Sequence, residues 1–163
     1  MESVRSVPFA AGINNHMGSG LTGNMQAMSR LMAMLAERGD MYFLDSRTHK
    51  STVAELAASQ AGVPTSRRDV FLDFKRDEAY ISDQFNLLLA KAQQHRSAVA
   101  IGHPYPETLA VLTRRLPELE ELGVELVPLS TLIKRQNKDK SNPRSENATI
   151  VGAKMLQTNR GEN

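Results

Sequence analysis

Two rhythms of apolar residues alternate along the chain. Short continuous apolar runs are followed by longer stretches in which apolar residues return every three or four positions. The first rhythm marks strands buried on both faces, and the second marks amphipathic helices. The opening run predicts a strand over Phe9–Asn14. Met25, Met28, Met32 and Leu35 then predict a helix over Thr22–Arg38, stopped by Gly39. A strand at Met41–Leu44 precedes a helix starting near Thr52, where Thr52 and Glu55 have the spacing of a capping box. Val53, Leu56, Ala57 and Ala61 form its expected stripe, and Gly62 and Pro64 end it. Asp69–Asp73 is the third strand. Asp77 caps a helix reaching His95, with Ile81, Phe85, Leu88, Leu89 and Ala92 facing inward. Ser97–Ile101 is the fourth strand.

Pro106 opens the next helix, where its missing N–H costs nothing. Leu109, Leu112 and Leu116 are its expected inward face, and Pro117 kinks or restarts it before Gly123. Val124–Pro128 is the fifth strand, and Leu129–Ile133 closes the ordered part. The polar segment 136–163 has no sustained period and reads as a disordered tail behind a domain of residues 1–135. Strands alternating with helices predict an α/β fold with a parallel sheet. It closes either as a doubly wound sheet or as an arc of a (β/α) barrel, because five strands fall short of the ~8 of an ordinary parallel barrel.

Composition narrows the function. The 163 residues suit one domain, with an aliphatic core supplied by Leu, Val, Ile, Ala and eight Met in the absence of Trp. No apolar run approaches the ~18 residues of a bilayer span. The segment Met1–Arg5 lacks the order of a signal peptide. The absence of cysteine excludes disulfides and thiolate metal sites. Seven of the twenty Lys/Arg and three of the eighteen Asp/Glu lie from Lys134 onward, leaving thirteen basic and fifteen acidic residues in the body. The positive charge therefore belongs to the tail, and the body lacks the clustered cations and aromatics of a nucleic-acid surface.

Polar residues crowd three strand ends. Asn14, Asn15 and His16 end the first, and Asp45, Ser46, Arg47 and Thr48 end the second. His103 sits between Gly102 and Pro104 at the end of the fourth. In α/β proteins the carboxyl ends of strands carry the reactive groups, so these tips suggest one shared site. An imidazole held between glycine and proline suits a general acid, although a histidine buried under a loop fits the pattern too. Asp45 can orient a neighbour or accept a substrate hydroxyl. Arg47 can pair with Asp45 or bind an anionic group. Arg68, Asp73 and Tyr105 are rim candidates, and Glu107 serves the substrate or simply the helix dipole. His49 and His95 lie in polar surroundings outside the site. Gly18-Ser19-Gly20 would fit phosphate near a helix start, but no Walker loop or dinucleotide fingerprint accompanies it.

Four segments in register, Ile13–Ser19, Phe43–Thr48, Arg68–Asp73 and Ala100–Leu109, resemble the divergent polysaccharide deacetylase family, the YibQ-like proteins. The resemblance covers about residues 8–133. It implies part of a distorted (β/α) barrel related to the NodB-type carbohydrate esterases. It also implies metal-assisted hydrolysis of N- or O-acyl groups on a glycan. The divalent ion, zinc first among the candidates, would take His16 as a ligand, with Asn14 or Asn15 orienting it or the substrate. His103 would be the acid and Asp45 a catalytic carboxylate, with Asn14, Asn15, Arg47, Arg68, Asp73 and Glu107 holding substrate.

The family's Asp-Asp pair lies upstream of these motifs, and His16 lacks a second histidine a few residues away. The chain is therefore expected to be incomplete, inactive alone, and prone to dimerise or to require an amino-terminal half. Family members are exported to the periplasm; without an export signal the location is cytoplasmic. The competing reading is a non-catalytic glycan-binding or envelope scaffold protein with a degenerate pocket. A small phosphate-binding module is a third reading.

Overall fold

A computed structural model describes residues 7–141 and 149–152. It is a mixed α/β structure in which every strand pairing is parallel. The strands are β1 (Gly12–Asn14), β2 (Tyr42–Asp45), β3 (Thr65–Arg67), β4 (Val70–Phe71), β5 (Ser97–Ile101), β6 (Glu125–Leu126) and β7 (Thr149–Gly152). The helices are α1 (Ser19–Thr22), α2 (Met25–Arg38), α3 (Ala54–Gln60), α4 (Glu78–His95), α5 (Pro106–Arg115), a 3-10 turn (Leu116–Leu119) and α6 (Leu129–Ser141). They form two compact units. The first holds the chain up to Arg68 together with the body of α6, and the second runs from Asp69 to Leu129 and includes β7.

In the first unit the sheet order is β1-β2-β3. Gly12 pairs with Tyr42 across it, and a Cβ on Gly12 would overlap the Tyr42 ring, so only glycine fits. Burial of that tyrosine pushes its hydroxyl pKa up. Met28, Met32 and Leu35 of α2 pack with Phe43 of β2 and with Ala54, Ala57 and Ala58 of α3. The helix expected over Thr22–Arg38 begins instead at Met25, behind a separate one-turn helix, α1, that ends at Thr22. Gly23 ends α1, and the Asn24 side chain accepts the Ala27 N–H to start α2.

The start of α3 also departs from expectation. Thr52 does not close a capping box; its hydroxyl donates to Asp45 Oδ2 at 2.9 Å and accepts the Ala54 N–H at 3.3 Å. The helix begins at Ala54 and buries three alanines, while Leu56, expected inside, is 53% exposed. Small side chains let the helix lie close to its neighbours, and that choice turns Leu56 outward.

In the second unit the order is β4-β5-β7-β6. The strand expected over Asp69–Asp73 shortens to β4, and β3, which was not anticipated, ends just before it in the other sheet, with a break between them. At the break, the Asp69 N–H donates to the Val99 carbonyl and the Asp69 carboxylate accepts the Val99 N–H, both at 2.8 Å. A side chain replaces a ladder carbonyl there. The α4 stripe packs as anticipated, with Ile81, Phe85, Leu88, Leu89 and Ala92 buried among Val70, Ala98, Ala100 and Val111. Asp77 caps the helix by accepting the Tyr80 N–H. Pro117 restarts the chain as the 3-10 turn. In α5, Thr108 and Val111 are buried and Leu109 is 52% exposed, against expectation. Thr108 must reach a buried carboxylate, and the helix is rotated to let it.

Beyond Arg135, α6 continues to Ser141, and Thr149–Gly152 pairs with both β5 and β6. The segment read as a tail therefore contributes an inner strand. Its β-branched Thr149-Ile150-Val151 run was too short to show a period. The rest of the tail lies outside the described residues. Among the described residues, no helix is long and apolar enough to cross a membrane.

Urea denaturation of single alanine variants checks this core. Phe85→Ala is expected to lower stability by about 3–5 kcal/mol. Leu109→Ala is expected to stay within about 0.5 kcal/mol, as for an ordinary surface position.

Candidate functional site

Parallel pairing puts the ends of β1, β2 and β3 at one edge of the first sheet, and the polar tips meet there. Asn14 Nδ2 donates to Ser46 Oγ at 3.2 Å, and Asn15 Nδ2 donates to Thr48 Oγ1 at 3.1 Å. Asn15 Oδ1 accepts the Ser46 N–H at 2.8 Å. Thr48 donates onward to the Met17 carbonyl. Asp45 is fully buried. Its Oδ1 accepts the Arg47 N–H at 2.8 Å, and its Oδ2 accepts the Thr52 hydroxyl. Arg68 bridges the same turn, with Nε on the Ser46 carbonyl at 2.7 Å and Nη2 on the Arg47 carbonyl at 3.2 Å.

Asn14, Asn15, Asp45, Arg47 and Arg68 therefore come together around the Ser46–Thr48 turn, Asp45 and Arg68 through the backbone of Arg47. The anticipated Asp45–Arg47 pair is a main-chain hydrogen bond, and the guanidinium itself is exposed. His16 belongs to this unit and is exposed, as is His49.

The second cluster grows from the ends of β4 and β5. Asp73 has a side chain with no exposed surface. Its Oδ2 accepts the main-chain N–H of His103 in a short bond and the Thr108 hydroxyl at 3.0 Å. Its Oδ1 lies 3.0 Å from His103 Nδ1. A buried carboxylate is expensive unless it is hydrogen-bonded, and these three donors engage both its oxygens. The pairing selects the ring tautomer with the proton on Nδ1, which makes Nε2 the basic nitrogen of the ring. The imidazole is 21% exposed. Phe71 meets it edge-on at 5.7 Å, and Tyr105 lies tilted against it at 5.0 Å. Gly102 makes the approach feasible, since a Cβ there would sit 3.3 Å from Asp73 Oδ2 and 3.4 Å from Leu72 and Thr108.

Around this core, Arg76 stacks 4.3 Å over the Tyr105 ring and pairs with Glu107 at 3.3 Å. Glu107's own helix-start amide, then Arg76, holds its carboxyl below the usual carboxylate range. The contact therefore persists as pH falls into that range and is lost below it. Glu107 is thus an ionised partner of Arg76. Thr108 and Arg76 were not anticipated from the sequence. The signal for Thr108 was a hydroxyl residue one turn after Gly102-His103. The exposed Lys75-Arg76-Asp77 run carried no signal for Arg76.

The divalent metal implied by the resemblance needs several convergent donors. Among the described residues, no group of three His, Cys, Asp or Glu side chains is placed to hold one. Both oxygens of Asp45 and of Asp73 already accept hydrogen bonds. These residues do not by themselves make a metal centre.

The fold and these tips define a parallel α/β protein with an aspartate–histidine pair at the carboxyl end of its strands. Residues 1–133 match the family model described as divergent polysaccharide deacetylase. The chain is 43% identical over 141 residues to protein YibQ of Escherichia coli (strain K12), covering 86% of this chain and 44% of that one. It is 43% identical over 123 residues to a protein of Haemophilus influenzae (strain ATCC 51907 / DSM 11121 / KW20 / Rd), covering 76% of this chain and 43% of that one. The crystal structure of ATU2773 from Agrobacterium tumefaciens C58 shares the fold, with a TM-score of 0.72 at 24% identity over 75% of this chain and 49% of that one. The chain belongs to the divergent polysaccharide deacetylase family. It spans less than half the length of the curated relatives it matches.

Asp73→Asn tests the second cluster. An amide cannot accept from all three donors, and its NH2 would face an N–H. Stability is expected to fall by about 1–3 kcal/mol. Long-range nitrogen NMR of the imidazole should show the Nδ1–H tautomer replaced by a mixture; an unchanged tautomer would remove Asp73 as its cause.

Proposed function

We propose that this chain supplies the proton-donating part of a glycan deacylase, which hydrolyses an N- or O-acyl group on a polysaccharide. The observation that carries this reading is the Asp73–His103 pair: a buried, fully hydrogen-bonded carboxylate fixing one nitrogen of a partly exposed imidazole. Family membership supplies the substrate class. In this reading the parallel βα units belong to a distorted (β/α) barrel. The substrate is an envelope glycan met in the periplasm.

When water adds to the acyl carbon, the leaving amine or alkoxide takes the proton from His103 Nε2. The Nδ1–H···Asp73 bond holds the ring on line. Phe71 and Tyr105 keep the ring from turning. Asp45 acts through the Arg47 turn it holds, as a positioning residue. Asn14, Asn15 and Arg68 hold the same turn, and Glu107 holds Arg76 over Tyr105. His16 is the one imidazole the resemblance would give a divalent ion, which would supply Lewis-acid chemistry when bound; the remaining ligands and the base would have to come from beyond the described residues. The sequence length that relatives have in addition would supply them, or a second subunit would.

Acetate release from partly acetylated chitooligosaccharide tests the assignment in protein extended to its relatives' full length. His103→Asn is expected to lower kcat by about 10²–10⁴-fold with KM little changed. This chain alone is expected to release none. Undiminished turnover by the His103→Asn protein would overturn the reading.

A further inference from the structure

The end of β2 holds a feature that acyl transfer does not require. Arg47 adopts a left-handed backbone conformation, φ 50°. A long side chain rarely takes that conformation without cost, and such strain persists only where the surroundings impose it. Here both polar groups of its backbone are clamped. The buried Asp45 accepts its N–H, and Arg68 donates to its carbonyl. Two charged side chains are thus committed to holding one residue in a strained shape. The side chain so presented is an exposed guanidinium at the carboxyl end of a parallel strand. No carboxylate among the described residues forms an ion pair with it.

The surroundings have one sign of charge. Residues 12–24 and 46–54, which make the tips of β1 and β2 and the turns after them, contain Arg47, Lys50, His16 and His49 and no Asp or Glu. Arg68 adds a second guanidinium. Asp45 is the single acid in the tips of β1 and β2, and both its oxygens already accept hydrogen bonds. Glu55, the first acid after Asp45, is paired with Arg67 at 3.3 Å. A planar guanidinium in such a field fits a carboxylate in a two-point contact, which an ammonium cannot make.

We infer that Arg47 selects a carboxylate-bearing sugar, so that the glycan this chain recognises is anionic rather than neutral. The inference rests on the glycan reading above for its sugar, but not for its charge.

Calorimetric titration of the full chain tests it with an oligosaccharide of alternating N-acetylglucosamine and N-acetylmuramic acid, and with the same compound as its methyl ester. The acid is expected to bind at least tenfold more tightly than the ester. Arg47→Asn tolerates the left-handed turn, and is expected to raise the thermal midpoint while abolishing the preference for the acid. Arg47→Lys should retain part of it. Equal binding of acid and ester by the native chain, or a preference that survives Arg47→Asn, overturns the inference. If neither sugar binds, D-lactate is titrated against the Arg47 guanidinium NMR signal. A shift then keeps the carboxylate site and rejects the glycan reading, and no shift rejects the site.

Discussion

A carboxylate buried at the end of a parallel strand has to be given donors, and this protein solves that problem twice in the same way. Asp45 is the last residue of β2, and Asp73 lies two residues past β4. Each is buried, each accepts a main-chain N–H from a strand-end turn, and each accepts the hydroxyl of a threonine at or near the start of a helix. An unpaired carboxylate in either place would cost several kcal/mol, by the penalty of burying charge without partners. The turn and the helix start that supply the donors are therefore not free to move independently of the strand.

What each aspartate holds differs, and the difference sets the chemistry. Asp73 takes both the backbone and the ring of His103, so its charge is coupled to a group that can carry a proton. Asp45 takes the backbone of Arg47 and leaves the guanidinium outward, so its charge shapes a turn. Two aspartates in similar settings thus serve a proton donor and a fixed cation. The aromatic neighbours of His103 add a second restraint of a different kind, since Phe71 and Tyr105 limit rotation without competing for its nitrogens.

The same demand for donors explains where the helices depart from their apolar patterns. Leu56 and Leu109 sit at helical spacing from other apolar residues, yet both face solvent. Just before or just inside each helix a threonine is drawn to an aspartate, and the rotation that brings it there decides which side faces the core. The result is Ala54, Ala57 and Ala58 inward in α3, and Thr108 and Val111 inward in α5. By contrast α4 carries no such obligation. Its cap, Asp77, serves only its own first turn, and its stripe packs as its spacing dictates.

The sequence alone determined what depends on neighbours a few positions away. The alternation of strands and helices, the α4 face, the Asp77 cap, the Pro106 start and the polar strand ends all follow from local spacing and backbone preference. The family resemblance was legible for the same reason, because its motifs are the strand ends themselves. Only the tertiary structure decided the long-range pairings. Thirty residues separate Asp73 from His103 and thirty-five separate it from Thr108. No local pattern shows that an aspartate read as a rim residue is the partner that orients the histidine. Nor could spacing show that Arg47 meets Asp45 through its backbone, or that Thr149–Gly152 joins a sheet. A hydrogen bond is chosen by what lies within about 3 Å in space, and distance along the chain says nothing about that.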